Sequence, residues 1–126
     1  MAEKTLGQIE AGLCDAIIKF EKEHLGRGPK EGKVLVSGDM IVVRLKGVLT
    51  PAEEKLSKTQ EGSGLVKKVR MSLIEGARDI LDNIVFEITG CHLVSLHTDI
   101  STKTGERVII LILDRNFENR FEKDRK

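Results

Sequence analysis

The chain has 126 residues, the length of one domain, and 21 Lys and Arg against 20 Asp and Glu leave a net charge of +1. This balance gives no basic field to attract nucleic acid, and four Phe without Tyr or Trp disfavour a stacking surface for single strands. No apolar run approaches the ~20 residues that span a bilayer, and no signal-peptide core follows the first residues. We expect a single cytoplasmic domain over residues 1–126 that binds no nucleic acid.

The first part of the chain predicts a helix and a β-hairpin. Apolar side chains recur every three or four residues between residues 4 and 25, the pattern of a helix with one buried face. Two strands are predicted over residues 33–37 and 40–46. The turn between them contains Gly38, which tolerates the positive φ that hairpin turns need.

A capping box marks the next helix. Thr50 is a helix-capping residue, Pro51 suits the first helical position, and Glu53 can bond back to the cap. A short helix to about residue 59 should follow, and after a break a long helix from about residue 63 to residue 89. At 100° per residue, eight apolar side chains of the long helix share one arc. They are Val66, Val69, Leu73, Ala77, Ile80, Leu81, Ile84 and Ile88.

Arg70 falls inside this apolar arc. A guanidinium group at such a position must be paired or must extend to water. It could face a ligand carboxylate or phosphate. The alternative is an ion pair with a residue such as Asp99 or Asp114.

The last part predicts a second hairpin, with strands over residues 91–99 and 107–113. Residues 108–113 are six consecutive apolar residues without alternation, which indicates a strand covered on both faces. The C-terminal segment or another subunit could supply the second cover. Residues 115–126 are rich in charge and are either a frayed helix docked through Phe117 and Phe121 or a solvated tail.

The predicted order is therefore α-β-β-α-α-β-β-α. Two hairpins can join into a four-stranded, mainly antiparallel sheet with the long helices on one face. This is a two-layer α/β sandwich of the α+β class.

The loop of the second hairpin is the main candidate binding site. Hydroxyl and amide groups there could hold a small anion, and three arginines could supply positive charge. Ordinary turn chemistry, with Gly at positive φ, explains the same loop residues. The candidates are Arg44, Arg70, Asp99, Ser101, Thr102, Thr104, Gly105 and Arg107.

Five further residues are secondary candidates, namely Arg27, Lys30, Thr50, His97 and Glu106. Arg27 and Lys30 follow the first helix and could contact phosphate, although cations at a helix C-terminus are also favoured by its dipole. His97 and Asp99 share one face of a strand and could share a metal ion or a proton. Two ligands do not make a zinc site, which needs three or four. We expect no metal ion and no cofactor.

Known catalytic motifs for hydrolases and metalloproteases are absent from the sequence. It therefore favours a protein that is not an enzyme, with proton transfer by His97 and Asp99 as the enzymatic alternative.

Four stretches of the sequence together resemble a small bacterial family. They are residues 26–29 (GRGP), 39–53 (DMIVVRLKGVLTPAE), 56–70 and 99–108 (DISTKTGERV). The family is labelled the C component of a sodium-translocating, membrane-potential-generating system, and the resemblance extends over about residues 3–115.

The resemblance implies association with a membrane complex for ion or inorganic-carbon transport. The chain would then be an accessory or regulatory domain, peripheral to the inner membrane through a partner, and we expect a homodimer. The alternative is a sensor that binds a small anion or a nucleotide phosphate.

Overall fold

The computed structural model describes residues 4–125, with side chains described through Phe121. The elements in chain order are α1 (Leu6–His24), β1 (Glu31–Ser37), β2 (Met40–Lys46), α2 (Pro51–Leu56), α3 (Gln60–Gly76), α4 (Arg78–Thr89), β3 (Leu93–Ser101), β4 (Glu106–Leu113) and a C-terminal 3-10 helix (Phe117–Arg125). The four strands form one antiparallel sheet in the order β1-β2-β4-β3. The predicted two-layer α/β sandwich is confirmed.

Helix α1 forms where its apolar pattern predicts it and packs on β1 and α4. Thr5 and Gln8 close a capping box at its start, because each side chain bonds to the other's backbone N–H. Leu13, Ile17 and Phe20 form its buried stripe, with at most 1 % of each side chain exposed.

The two hairpins agree closely with the predicted strands. β2 has the predicted bounds, β1 begins two residues earlier, β3 lies two residues further along the chain, and β4 begins one residue earlier. Gly38 adopts a φ of +64° in the first turn and Gly105 a φ of +74° in the second, conformations that glycine adopts at little cost. Strand β4 lies between β2 and β3, so the second hairpin closes against the first.

The predicted long helix is instead two helices. Ala77 interrupts it with a φ of −101° and a ψ of 10°, and α3 begins at Gln60, capped by Thr59, where a break was expected. The predicted apolar arc is also wrong for Val69, Leu73 and Ile80, which are at least 41 % exposed. The buried stripe of α3 is Gly62, Val66, Arg70 and Ile74, which leaves Val69 and Leu73 toward solvent. On α4 the buried residues are Leu81, Val85 and Thr89, which leaves Ile80 outward.

The two faces of β4 differ in burial. On the face toward the helices, here the inner face, Ile109 and Leu111 are at most 1 % exposed, whereas Val108, Ile110 and Ile112 on the outer face are only partly buried. The C-terminal segment therefore does not supply the expected second cover, and cover of the outer face by another subunit stays a prediction. The C-terminal segment packs against α1 and the end of β1, and it docks through the buried rings of Phe117 and Phe121.

Candidate functional site

Four charged side chains meet between the helices and the inner face of the sheet. They are Glu21 of α1, Glu53 of α2, Arg70 of α3 and Arg107 of β4, and we call them the buried charge cluster. Glu21, Arg70 and Arg107 are at most 1 % exposed, and the side chain of Glu53 is 21 % exposed. Charges so deeply buried are rare unless they are paired.

Arg70 is held by a two-pronged ion pair with Glu53. Its Nε donates to Oε2 of Glu53 at 2.8 Å and its Nη2 to Oε1 at 2.6 Å, and Nη2 also donates to the carbonyl of Val48 at 2.6 Å. The hydrogen bonds from Arg70 are the main reason that the pKa of Glu53 lies below its usual range.

The ion-pair interpretation of Arg70 is thus confirmed, but the suggested partners Asp99 and Asp114 are wrong. The true partner is the capping-box carboxylate of α2, which also accepts from the backbone N–H of Thr50 at 2.9 Å. The capping-box motif could have identified Glu53, because it fixes that carboxylate at a helix start. The packing of α2 beside α3 then brings the Glu53 carboxylate to Arg70.

Arg107 lies deeper and has weaker contacts. Its Nη1 is 3.5 Å from Oε2 of Glu21, its Nε donates to Oγ1 of Thr98 at 3.1 Å, and its Nη2 donates to the carbonyl of Arg70 at 3.4 Å. Burial raises the pKa of Glu21, although the charges of Arg107 and Arg70 oppose the shift. Burial also lowers the pKa of Arg107, and Glu21 opposes that shift.

The buried charge cluster balances two cations with two anions. Within the described residues, both carboxylate oxygens of Glu21 and the Nη1 atoms of both arginines form no hydrogen bond. The cluster nevertheless ties three helices to β4, because each of its members comes from a different element. Arg70 and Arg107 therefore have a structural role in this fold, and their positive charges are not exposed to solvent. The burial of Glu21 was not predicted, because only the packing of α1 on the sheet brings this side chain into the cluster.

The loop of the second hairpin borders an open groove of about 410 Å³. Helix α3 supplies Ser63 and Lys67 to its wall, and the hairpin supplies Thr102, Lys103 and Asp99 among others. The hydroxyls of Ser63 and Thr102 are 2.5 Å apart, and Nζ of Lys67 is 3.5 Å from Oδ1 of Asp99. Ser63, Lys67 and Lys103 were not predicted, because exposed helix and loop positions carry no distinct pattern.

Turn hydrogen bonds occupy part of the predicted loop site. The hydroxyl of Ser101 accepts from the backbone N–H of Thr104 at 3.3 Å, and the hydroxyl of Thr104 accepts from that of Glu106 at 3.2 Å. Gly105 supplies the positive φ. The turn interpretation accounts for these three residues, whereas Thr102 faces the groove.

The three candidate arginines do not converge on this loop. Arg44 is on the outer face of the sheet, where its Nε lies 2.6 Å from Oε2 of Glu106, while Arg70 and Arg107 are on the inner face. Arg107 pairs in register with Leu45, the neighbour of Arg44, so alternation along the strands puts Arg44 and Arg107 on opposite faces.

The remaining candidates have local structural contacts. Arg27 donates to the carbonyl of Leu49 at 3.0 Å, Lys30 bonds through its backbone N–H to the carbonyl of Lys46 at 2.8 Å, and Thr50 caps α2. His97 shares the outer face with Asp99, as predicted from their spacing. Its Nε2 lies 3.3 Å from the hydroxyl of Ser95.

The described part of the chain contains neither a metal-binding cluster nor a helix that could cross a membrane. Among the side chains of residues 4–121, no three His, Cys, Asp or Glu cluster in a way that could hold a metal ion. None of the helices found over the same residues has the length and apolar character needed to cross a membrane.

Comparison with known proteins identifies relatives over almost the whole chain. Residues 5–115 match the family described as "Na+-translocating membrane potential-generating system (MpsC)". The uncharacterized protein YbcI of Bacillus subtilis is 40 % identical over 121 residues, which are 96 % of this chain and 98 % of YbcI. The uncharacterized protein YrhF of the same organism is 30 % identical over 110 residues, 86 % of this chain and 89 % of YrhF. No solved structure matches.

Proposed function

This chain belongs to the MpsC family, and from that membership we propose that it is a non-enzymatic accessory or regulatory subunit of a membrane ion or inorganic-carbon transport system. The observation that carries the proposal is the extent of the family match. It spans residues 5–115 and so includes every α-helix and β-strand, from Leu6 to Leu113. The family description therefore applies to the whole sandwich and not to a short motif.

The geometry supports an accessory role. Arg70 and Arg107 are committed to the buried charge cluster, and the predicted proton-transfer residues His97 and Asp99 stand on an exposed sheet face. Enzymes place such groups in water-excluding clefts, where their pKa values can be tuned. The fold instead exposes surfaces that a partner could contact, on the outer face of the sheet and along α3.

The proposal is tested in Bacillus subtilis that lacks YbcI and YrhF, with this chain supplied under an inducible promoter. We expect the deletion strain to show a lower membrane potential with a voltage-sensitive dye and this chain to restore it. We also expect a tagged copy to sediment with membranes and to be released by salt. An unrelated cytosolic protein with the same tag is the control. An unchanged potential together with a wholly soluble tagged chain would contradict the proposal.

The groove beside the second hairpin favours a second candidate, a sensor of small anions or nucleotide phosphates. Lys67 and Lys103 offer ammonium groups there, and Ser63 and Thr102 offer hydroxyls. The carboxylate of Asp99 competes for Lys67 at 3.5 Å, so an anion must displace that exposed contact. We infer a weak site for a small oxyanion.

Thermal unfolding with bicarbonate, phosphate or ATP tests this second candidate. A ligand with a Kd of ~1 mM, present at ~10 mM, stabilises the native state by ~1.4 kcal/mol, which raises the Tm by several degrees. Lys67→Ala should remove the increase, and Lys68→Ala, the next exposed position on α3, should keep it. No increase with any of the three ligands would exclude the sensor.

A further inference from the structure

The outer face of the sheet carries a continuous apolar band. Leu35 of β1 pairs with Val42 of β2, which pairs with Ile110 of β4, and the next row contains Met40 and Ile112. Leu35 is 48 % exposed and the other four are partly buried. A contiguous apolar patch of this kind on a small protein commonly marks an interface.

One row of charged residues beside this band has cations on β1 and β2 and an anion on β3. Lys33, Arg44, Val108 and Asp99 form one row across the four strands, which places two cations on β1 and β2 and an anion on β3. The register of the same strands, continued by one residue, places Lys46 of β2 beside Glu106 of β4. Lys46 also lies 3.6 Å from Glu31 of β1, and Glu106 lies 2.6 Å from Arg44, so both contacts with a partner would be shared with these exposed pairs.

We propose that two copies of the chain pack outer face to outer face about a two-fold axis that is parallel to the strands. This operation lays β1 over β3 of the partner and β2 over β4 of the partner. Lys33 then faces the partner's Asp99, and Lys46 faces the partner's Glu106. In the apolar band, Val42 faces the partner's Ile110. Each contact occurs twice, as the symmetry of such a dimer requires.

The charges select this axis over the alternative. A two-fold axis perpendicular to the strands, between the two sheets, would lay β1 over β1 of the partner and β2 over β2 of the partner. Lys33 would then face the partner's Ser37, and Arg44 would face the partner's Met40. Sheets pack about 10 Å apart, and long charged side chains at the rim can bridge that distance. Asp99 is available for a second cation, because its contacts with Lys67 and the backbone of Ile100 involve Oδ1, and no described residue bonds to Oδ2.

The same charges indicate that the outer face binds a second copy of the chain and not a lipid surface. An anionic lipid surface would be attracted by cations but repelled by Asp99 and Glu106 on the same face. A face that carries both signs at opposite edges complements itself after a two-fold rotation. Four strands at ~4.8 Å and seven residues at ~3.3 Å give a footprint of roughly 19 by 23 Å. This is roughly half of the ~800 Å² per partner of a standard interface, so we expect a weak dimer with a Kd of tens to hundreds of micromolar.

Sedimentation velocity of the purified chain, from about 1 to 500 µM, tests the dimer without reference to a transport function. We expect the native chain to reach twice its mass of 14.0 kDa. Lys33→Glu and Asp99→Lys should each weaken the dimer at least tenfold, because each places like charges opposite one another twice. The control Lys68→Glu changes the same charge on an exposed face of α3 and should have no effect.

Mixing the two single variants gives the decisive measurement. The heterodimer of the Lys33→Glu chain and the Asp99→Lys chain restores an opposite-charge pair at both rims, so a 1:1 mixture should dimerise at concentrations where each variant alone is monomeric. Circular dichroism checks that both variants fold, and both positions are exposed. A native chain that stays monomeric would overturn the proposal. A dimer insensitive to these charges but broken by Val69→Glu on α3 would also overturn it.

Discussion

The inner and outer faces of the sheet both carry an arginine paired with a glutamate, yet the two pairs differ in environment. On the inner face Arg107 is 1 % exposed and lies 3.5 Å from Glu21. On the outer face Arg44 lies only 2.6 Å from Glu106, but its side chain is 54 % exposed. Water screens the outer pair, whereas a charge left alone on the inner face has no solvent to stabilise it. Burial is thus a better guide than distance to the energetic weight of an ion pair.

The largest effect is expected from Glu21→Leu. This change leaves an unmatched positive charge among Arg70 and Arg107, and an arginine cannot neutralise itself by losing its proton. We expect a loss of about 3–5 kcal/mol in the free energy of unfolding. Urea denaturation at a fixed protein concentration measures it.

The double variant Glu21→Leu/Arg107→Met is the matched control for that loss. It removes both members of the inner pair and replaces them by apolar groups, so most of the lost stability should return. If the double variant is no more stable than Glu21→Leu, the two residues are not coupled and the comparison of the faces fails.

A smaller loss is expected where the interior is crowded but uncharged. A Cβ at Gly62, on the buried side of α3, would lie 1.8 Å from the carbonyl oxygen of Leu56, whereas a Cβ at Gly64 would meet nothing within 4 Å. Gly62→Ala should cost about 1–3 kcal/mol through forced backbone movement. Gly64→Ala should stabilise by about 0.5–1 kcal/mol, because alanine favours the helix. Equal effects in thermal denaturation would contradict this crowding.

The pH dependence of stability should identify Glu53 as the acid-sensitive member of the buried charge cluster. Its folded pKa lies below the ordinary value of about 4.3, so its contribution is present above that value and is lost as pH falls through the folded pKa. Glu53→Gln should therefore lower stability near pH 7 and flatten its decline on acidification. Urea midpoints between pH 7 and pH 3 measure this, and an unchanged slope would contradict it.

The smallest effect is expected at Arg44. Because its pair with Glu106 is exposed, Arg44→Ala should change the free energy of unfolding by no more than about 1 kcal/mol. Measurement below the concentration at which the chain dimerises isolates the ion pair from the interface. A loss as large as that of Glu21→Leu would show that the outer pair is structural.

Local signals were enough for the parts of the fold that depend on neighbouring residues. The turn at Gly38, the capping box of Thr50 and Glu53, and the bounds of β2 all follow from interactions within a few residues. The interruption at Ala77 was missed because alanine is a strong helix former and the apolar pattern continues across it. The groove residues Ser63 and Lys67 were missed because only the docking of α3 beside the second hairpin brings them to the loop.

The sequence alone determined the order of the strands and of the helical segments, apart from the division at Ala77, together with the α+β class, the family and the fact that Arg70 needs a partner. Only the tertiary structure decided that this partner is Glu53, that Arg107 turns inward and that Arg44 turns outward. The physical reason is that alternation along a strand separates side chains into two sets without saying which set is buried. That choice is made when helices cover one face of the sheet and leave the other face open.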